Sequence, residues 1–212
     1  MSELILRPGR FTRKPQGPLE VVHCNDMLSV LPLNCNLTQG PWIAGGAALS
    51  WYQNKPIGKS DIDVFCRTEK QYDTLYKLLT SGKPSDTTTS SLVYKSDNAV
   101  SFDVYQNGIN QVWKVQLIKK LFNSVEDLIS NFDITVCQVV TDGHRFVLGQ
   151  DTAYHINNKI LSFTKFNTNT VKRLVKYWAY GFEPESNTLD AIYSNTEISW
   201  NFINSDEYDN AF

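Results

Sequence analysis

Short apolar segments, rich in β-branched and aromatic residues, alternate along the first 150 residues with polar segments that contain Gly, Pro, Asn or Asp. Such segments are typical of strands, and between them apolar positions recur at the three- and four-residue spacing of helices. The predicted strands are 19–23, 60–66, 92–94, 99–105, 112–118, 134–141 and 145–148. The predicted helices are 25–33, 47–53, 69–79 and 124–132. Asp142 and Gly143 predict a hairpin between the last two strands, and the polar residues 81–91 predict a loop.

Beyond Gly149 the pattern changes to helical spacing, and residues 152–162 and 169–181 are predicted helices. After Glu183, acids and asparagines accumulate, although four apolar side chains there could pack back on the core: Ile192, Ile198, Trp200 and Phe202. We therefore expect an α/β protein of the α+β type, with a mixed sheet, flanking helices and a C-terminal helical extension. The predicted division is an extended basic arm at 1–18, a core at 19–150 and a helical region at 151–212 packed on that core.

Composition and charge narrow the possible partners. The 212 residues carry 20 basic and 22 acidic side chains, a net charge of −2, so a nucleic-acid partner would need a local basic patch. The arm at 1–18 holds four basic residues and three prolines; it is either a loosely packed tail or a contact to nucleic-acid phosphate. Four cysteines lack metal-site spacing and are predicted to be free thiols. With no membrane-length apolar segment and no signal peptide, we expect a cytoplasmic protein.

The candidate chemistry is concentrated between Ile43 and Phe65. Gly45 and Gly46 follow an apolar pair and permit a close turn before the Ala-rich segment that begins the next helix, whose first N–H groups could face an anion. Asp61 and Asp63 are two residues apart in a predicted strand, so both carboxylates point to the same side. An Asp-x-Asp sequence is by itself common at strand ends; its combination with a glycine turn favours a metal-assisted phosphoryl or nucleotidyl transfer site. The all-oxygen ligands suit Mg²⁺ or Mn²⁺.

This combination resembles the signature of the DNA polymerase beta-like nucleotidyltransferase superfamily. It consists of Ala44, Gly45 and Gly46 followed by Asp61-Ile62-Asp63-Val64. Four further segments resemble nucleotidyltransferase-like proteins of phages and large DNA viruses: 59–63, 114–118, 131–137 and 176–182. The resemblance implies a nucleoside triphosphate bound over Gly45 and Gly46, with Lys59, Ser60 and Gln116 nearby. If the protein is viral, its compartment is the host cytoplasm.

Members of the superfamily usually place a third acid on the strand beside the Asp-x-Asp strand, where Gln116 stands in this chain. An amide carries no charge, so another acid would have to complete the metal site. Asp133, at the start of a predicted strand, is preferred as the third catalytic and metal-binding carboxylate; Asp103 is the alternative.

The sequence hypothesis is a metal-dependent nucleotidyltransferase that moves a nucleoside monophosphate from the triphosphate to an acceptor hydroxyl, on RNA, protein, a small molecule or a second nucleotide. Lys172 and Lys176, one turn apart on the predicted helix 169–181, could both face the triphosphate, or form a solvated helix face. Gln116 supports the alternative of an inactive fold that binds nucleotide or RNA. A third reading is a toxin–antitoxin type of module. The sequence does not determine the oligomeric state.

Overall fold

The computed structural model describes residues 20–23, 33–57, 60–108 and 112–195. Within these ranges the strands are β1 (Glu20–His23), β2 (Trp42–Ala44), β3 (Ile62–Cys66), β4 (Thr88–Lys95), β5 (Ala99–Gln106), β6 (Val112–Leu121), β7 (Val139–Thr141), β8 (Arg145–Leu148), β9 (Ile160–Leu161) and β10 (Glu183–Pro184). The helices are α1 (Gly46–Tyr52), α2 (Glu69–Thr80), α3 (Val125–Asn131), α4 (Thr152–Asn158), α5 (Thr168–Ala179) and α6 (Ser186–Tyr193). A short 3₁₀ helix, Thr135–Cys137, lies between α3 and β7.

Eight of these strands form one mixed sheet in the order β1-β8-β7-β2-β3-β6-β5-β4. The neighbours β3 and β6 are parallel, and the other neighbours are antiparallel. In this register Asp63 lies between Ala44 of β2 and Gln116 of β6. The centre of the sheet therefore brings the glycine turn and the carboxylate strand together.

The two faces of the sheet are packed differently. Ile62 and Val64 point into the larger core, which includes side chains from α1 and α2, as the alternation predicted. Phe65, on the opposite face, packs with Phe122 and with Leu128 of α3 in a second core. Asp63 shares this second face because it is two residues from Phe65. The predicted class, a mixed sheet with flanking helices and a helical C-terminal part, is confirmed.

The predicted loop 81–91 was wrong in its second half, because β4 already begins at Thr88. Thr88 is buried and pairs with Gln106 at the far end of β5. The Ser90 hydroxyl donates to the Leu79 carbonyl at 2.6 Å. The sheet thus continues through a segment whose composition is typical of a loop. Its backbone pairs with β5, and its polar side chains find hydrogen-bond partners nearby.

The predicted strand 134–141 was also wrong at its beginning. Residues Thr135–Cys137 form the 3₁₀ helix, and only Val139–Thr141 pair in the sheet. Contacts with α4 decide this conformation, because the Thr135 carbonyl accepts from the Thr152 hydroxyl and the Thr135 hydroxyl bonds His155 Nδ1 at 2.7 Å. The hairpin from β7 to β8 is confirmed, with Asp142 accepting from the N–H groups of His144 and Arg145.

The C-terminal part differs from the predicted helices at their ends. The predicted helix 152–162 ends at Asn158 because Lys159 adopts a left-handed conformation, with φ of 57°. The helix α6 was not predicted, and Ile192 within it is buried, as expected. The arm 1–18, most of the helix predicted at 25–33, and Ile198, Trp200 and Phe202 lie outside the described residues. The domain division at residue 150 stays a prediction.

Three cysteines lie in the described ranges, and all are free thiols, as predicted: Cys35, Cys66 and Cys137. Among the described helices, none combines the length and the apolar character needed to span a bilayer.

Candidate active site

The glycine turn joins β2 to α1 and forms one wall of a cavity. Gly45 has φ of 79° and ψ of −140°, a conformation that residues with a Cβ rarely adopt. Its N–H donates to the Val139 carbonyl at 3.1 Å, which fixes the turn against β7. A Cβ at Gly45 would lie 3.4 Å from the Phe132 ring and 3.8 Å from Asp63 Oδ2, and would fill the space beside that carboxylate.

Asp61 and Asp63 line the cavity together, as the Asp-x-Asp spacing predicted. Asp63 is the second residue of β3, and Asp61 immediately precedes that strand. Gln116, beside Asp63 on β6, donates from Nε2 to Asp61 Oδ2 at 2.6 Å. Gln116 therefore stands where the resemblance expected an acid and already holds one of the two carboxylates.

Burial dominates the electrostatics of the pair. The pKa of Asp63 is raised to about 7, chiefly by desolvation and also by the Asp61 charge, with Lys176 acting in the opposite direction. Desolvation also raises the pKa of Asp61, against the opposing effects of Lys114 and Lys176 and with a small contribution from Asp103. Two carboxylates held together in a partly desolvated site repel each other, and a cation between them would relieve this repulsion.

Asp133 also lines the cavity, but it does not begin a strand as predicted. Its buried carboxylate forms an ion pair with Arg173 of α5 through Oδ2, which also accepts from the Thr170 hydroxyl at 2.6 Å. Ile134, the next residue, forms an isolated bridge with Phe163. Asp133 therefore reaches the predicted cavity while its charge is already compensated by a guanidinium.

The alternative third acid, Asp103, is on β5 beside Lys114. It is not one of the residues that line the cavity. Its influence on Asp61 is the smallest of the four causes of that pKa shift. The structure thus brings Asp133, rather than Asp103, to the two central carboxylates.

The opposite wall is formed by α5, and one of the two lysines predicted on this helix, Lys176, lines it. Arg173 and Lys176 line the cavity, whereas Lys172 is not among the lining residues. Positions i and i+3 are neighbours on a helix just as i and i+4 are, so the same pattern could have identified Arg173. Ser60 lines the cavity as predicted, and Lys59 lies outside the described residues.

Cys137 and Tyr177 also line the cavity, and the Tyr177 hydroxyl forms a hydrogen bond with the Cys137 thiol. Burial raises the pKa of Cys137 to about 12, so this thiol is not a nucleophile at neutral pH. The Tyr177 hydroxyl lies 3.6 Å from the position that a Cβ on Gly46 would take. No local pattern in the chain indicated this pair, which supports the glycine turn from α5 and the 3₁₀ helix.

The cavity has a volume of about 330 Å³. Two carboxylates at the start of β3, Asp61 and Asp63, line one wall, and two cations on α5, Arg173 and Lys176, line the other. No group of three or more His, Cys, Asp or Glu side chains within the described ranges has the arrangement of a complete metal site. Among the lining residues, Asp61 and Asp63 are the pair that could hold a divalent cation, since hard oxygen ligands suit Mg²⁺ and a pair leaves coordination positions for substrate oxygens.

Comparison with protein families identifies the chain from its middle part. Residues 22–159, well over half of the sequence, match the Gabija anti-defense 2 family. The chain belongs to this family. The matched residues include the glycine turn, both central carboxylates, Gln116 and Asp133, but not α5 with its two cations.

Among solved structures, the Gabija anti-defense 2 chain is similar to the Thermotoga maritima CCA-adding enzyme complexed with tRNA. The similarity has a TM-score of 0.49 and 13% sequence identity, and it covers 74% of this chain. It covers 37% of the enzyme, so the chain spans little more than a third of that enzyme's length. A comparison with curated proteins finds no match.

Proposed function

We propose that this protein is a metal-dependent nucleotidyltransferase and that its activity serves the anti-defence role named by its family. The observation that carries the proposal is the cavity itself. It places a side-chain-free glycine turn and two convergent carboxylates opposite two cations, within a volume of about 330 Å³. This arrangement suits a triphosphate, because the oxygens of a polyphosphate need both cationic partners and a divalent ion shared with carboxylates.

Each wall has its own task in the proposed reaction. Asp61 and Asp63 would hold Mg²⁺ or Mn²⁺, which neutralises charge on the phosphates when it is bound. Gln116 orients Asp61 through the 2.6 Å hydrogen bond. Arg173 and Lys176 contact the triphosphate from α5, and Asp133 holds the Arg173 guanidinium in place. The glycine turn lets the phosphates approach the backbone where any Cβ would intervene.

The reaction would transfer a nucleoside monophosphate to an acceptor and release pyrophosphate. The chain contributes mainly by positioning the reactants and stabilising charge in a site from which water is partly excluded. The direct test incubates the protein with each α-labelled nucleoside triphosphate and Mg²⁺ or Mn²⁺, with and without RNA, and identifies labelled products by mass spectrometry. Loss of all transfer in Asp61→Asn with Asp63→Asn, with the fold intact, is the expected result.

A second function, nucleotide or RNA binding without catalysis, is favoured by two observations. Gln116 stands in place of an acid, and Asp133 is engaged with Arg173. The two functions differ in cells that carry the Gabija defence. If transfer is needed, the Asp61→Asn with Asp63→Asn variant fails to counteract the defence although it accumulates normally. If binding suffices, that variant still protects an infecting phage, and the transferase proposal is discarded.

A further inference from the structure

Gln116 lines the cavity, and Lys114 lies two residues away on β6, on the same face of the sheet but outside the set of lining residues. Gln116 faces Asp63 in the register and bonds Asp61. Lys114 is exposed, and it is the strongest cationic influence on the Asp61 carboxylate. Arg173 and Lys176 line the cavity from a different element, α5. Arg173 and Lys176 are thus available to the triphosphate, and Lys114 is available to the acceptor.

The second observation concerns proton acceptors. A hydroxyl acceptor has to lose its proton during attack, and a positioned carboxylate or imidazole normally takes it. The amide of Gln116 cannot take a proton. Asp133 is paired with Arg173 and hydrogen-bonded to Thr170, and Asp103 is outside the cavity lining. Asp61 and Asp63 are the proposed metal ligands. The described residues that line the cavity therefore leave no carboxylate or imidazole free to deprotonate a hydroxyl.

From this arrangement we infer that the acceptor is a phosphate monoester, which attacks through an oxygen that is already ionised at neutral pH. The inference rests on the proposed nucleotidyl transfer and specifies its substrate class. An acceptor phosphate oxygen forms a bond to the α-phosphorus of the nucleoside triphosphate. The bond from the α-phosphorus to the bridging oxygen breaks, and its electron pair leaves with pyrophosphate. The product contains a phosphoanhydride, and no proton has to be removed from the acceptor.

Charge complementarity selects the phosphate. A phosphate monoester carries about −1.5 to −2 charges near pH 7, and Lys114 offers a compact ammonium donor on the same face of β6 as Gln116, close enough to Asp61 to influence its pKa. An acid at position 116 would repel such an acceptor, whereas an amide can donate or accept hydrogen bonds without charge. Gln116 in place of an acid would therefore hinder transfer to a hydroxyl acceptor, but it suits an anionic acceptor.

The experiment compares matched acceptors with each of the four α-labelled nucleoside triphosphates and Mg²⁺. One pair is a 5′-phosphorylated oligonucleotide and its 5′-hydroxyl counterpart, each made with a free and with a 3′-deoxy end. The other pair is a nucleoside monophosphate and its nucleoside, which distinguishes a chain end from a free nucleotide. We expect transfer to depend on the phosphate and to ignore the 3′ end, with the new linkage identified as a phosphoanhydride by mass spectrometry. Transfer to hydroxyl ends irrespective of the phosphate would overturn the inference.

Two variants sharpen the test. Gln116→Glu supplies a base and a repelling charge, so transfer to the phosphate acceptor should fall at least about tenfold while hydroxyl acceptors gain activity. Lys114→Gln should raise the KM for the phosphate acceptor by about tenfold and weaken equilibrium binding of the nucleoside monophosphate. Lys119→Gln, on the same strand but the opposite face, is the matched control. Preserved phosphate preference in Gln116→Glu would contradict the assigned role of Gln116.

Failure of this inference is distinguishable from failure of the proposed function. Nucleoside triphosphate with Mg²⁺ should raise the melting temperature in the absence of any acceptor. If that stabilisation is present and transfer goes to hydroxyl acceptors instead, the acceptor inference is rejected alone. If the stabilisation is present and no acceptor of either kind is modified, the transfer activity is rejected in favour of binding without catalysis. If the stabilisation is also absent, the nucleotide site itself is rejected, and the acceptor inference with it.

Discussion

At the scale of single residues, Asp63 is the carboxylate whose pKa is raised furthest within the described part of the chain. Burial raises its pKa from 3.8 to about 7, and the nearby Asp61 charge acts in the same direction. Between these two pH values the native state binds more protons than the unfolded state, so the free energy of unfolding falls as pH rises. The metal-free protein is therefore expected to be more stable at pH 5 than at pH 8 through this group.

The substitution that tests this pH dependence is Asp63→Asn, which keeps the shape of the side chain and removes its charge. We expect it to raise the melting temperature of the metal-free protein at pH 8 and to have little effect at pH 5, where the native carboxyl is already protonated. Melting curves of both proteins from pH 5 to 8, with a chelator present, measure the difference. A constant difference between them across this range would show that Asp63 titrates normally.

The ion pair between Asp133 and Arg173 leads to a second prediction for single residues. The sequence hypothesis makes Asp133 a metal ligand, so that Asp133→Asn cuts the transfer rate by orders of magnitude while nucleotide binding falls much less. The ion pair observed in the structure instead makes Asp133 a positioning residue for Arg173. In that case nucleotide binding should fall as well, and further removal of the guanidinium by Arg173→Gln should add little, since coupled residues are not additive.

A double-mutant cycle on the nucleotide dissociation constant decides between these two roles. Asp133→Asn, Arg173→Gln and the combined variant are each titrated with a non-hydrolysable triphosphate and Mg²⁺. Additive effects on binding would reject the positioning role. Strong coupling would support it and leave Asp61 and Asp63 as the two carboxylates that hold the metal.

At the scale of elements, the position of α5 depends on its first turn. Asn167 caps the helix by accepting from the Thr170 N–H, and the Thr170 hydroxyl accepts from the Asn167 N–H. The same hydroxyl donates to Asp133 Oδ2, and Thr170 is fully buried. One side chain therefore joins the helix cap to the carboxylate that holds Arg173.

Thr170→Val removes this hydroxyl but keeps the branched shape. It should lower the free energy of unfolding by about 1–3 kcal/mol, because it leaves buried partners unsatisfied, and it should weaken triphosphate binding through Arg173. Thr170→Ser retains the hydroxyl and serves as the control, with most of the binding preserved. Denaturant unfolding and nucleotide titration measure the two effects. Normal nucleotide affinity in the destabilised valine variant would show that the cap does not position the cation wall.

At the scale of the whole molecule, the cavity joins β3 and the glycine turn to α5, which lies more than 100 residues further along the chain. A ligand that contacts both walls binds only the native state and stabilises it. Mg²⁺ prefers to be shared between carboxylates and phosphates. We expect Mg²⁺ with a nucleoside triphosphate to raise the melting temperature by more than the sum of the separate shifts. Additive shifts would indicate an isolated cation site that is unrelated to nucleotide.

The local chemistry of the sequence was enough to predict most elements and the centre of the site. The alternation around Ile62 and Val64 fixed which face of β3 is buried, and consequently put Asp61 and Asp63 on the other. Gly45 indicated a turn that only glycine adopts readily, and the structure shows φ of 79° there. These predictions succeeded because side-chain period and glycine conformation are properties of a few neighbouring residues.

Only the tertiary structure decided what surrounds that centre. The sequence determined a carboxylate pair beside a glycine turn, but not that Arg173 rather than Lys172 faces it, because both positions are helical neighbours of Lys176. Nor could it show that Asp133 is occupied by Arg173 and Thr170, which follow it in the chain by about forty residues. Such contacts depend on how α5 packs across the sheet, and long-range packing leaves no local pattern in the chain.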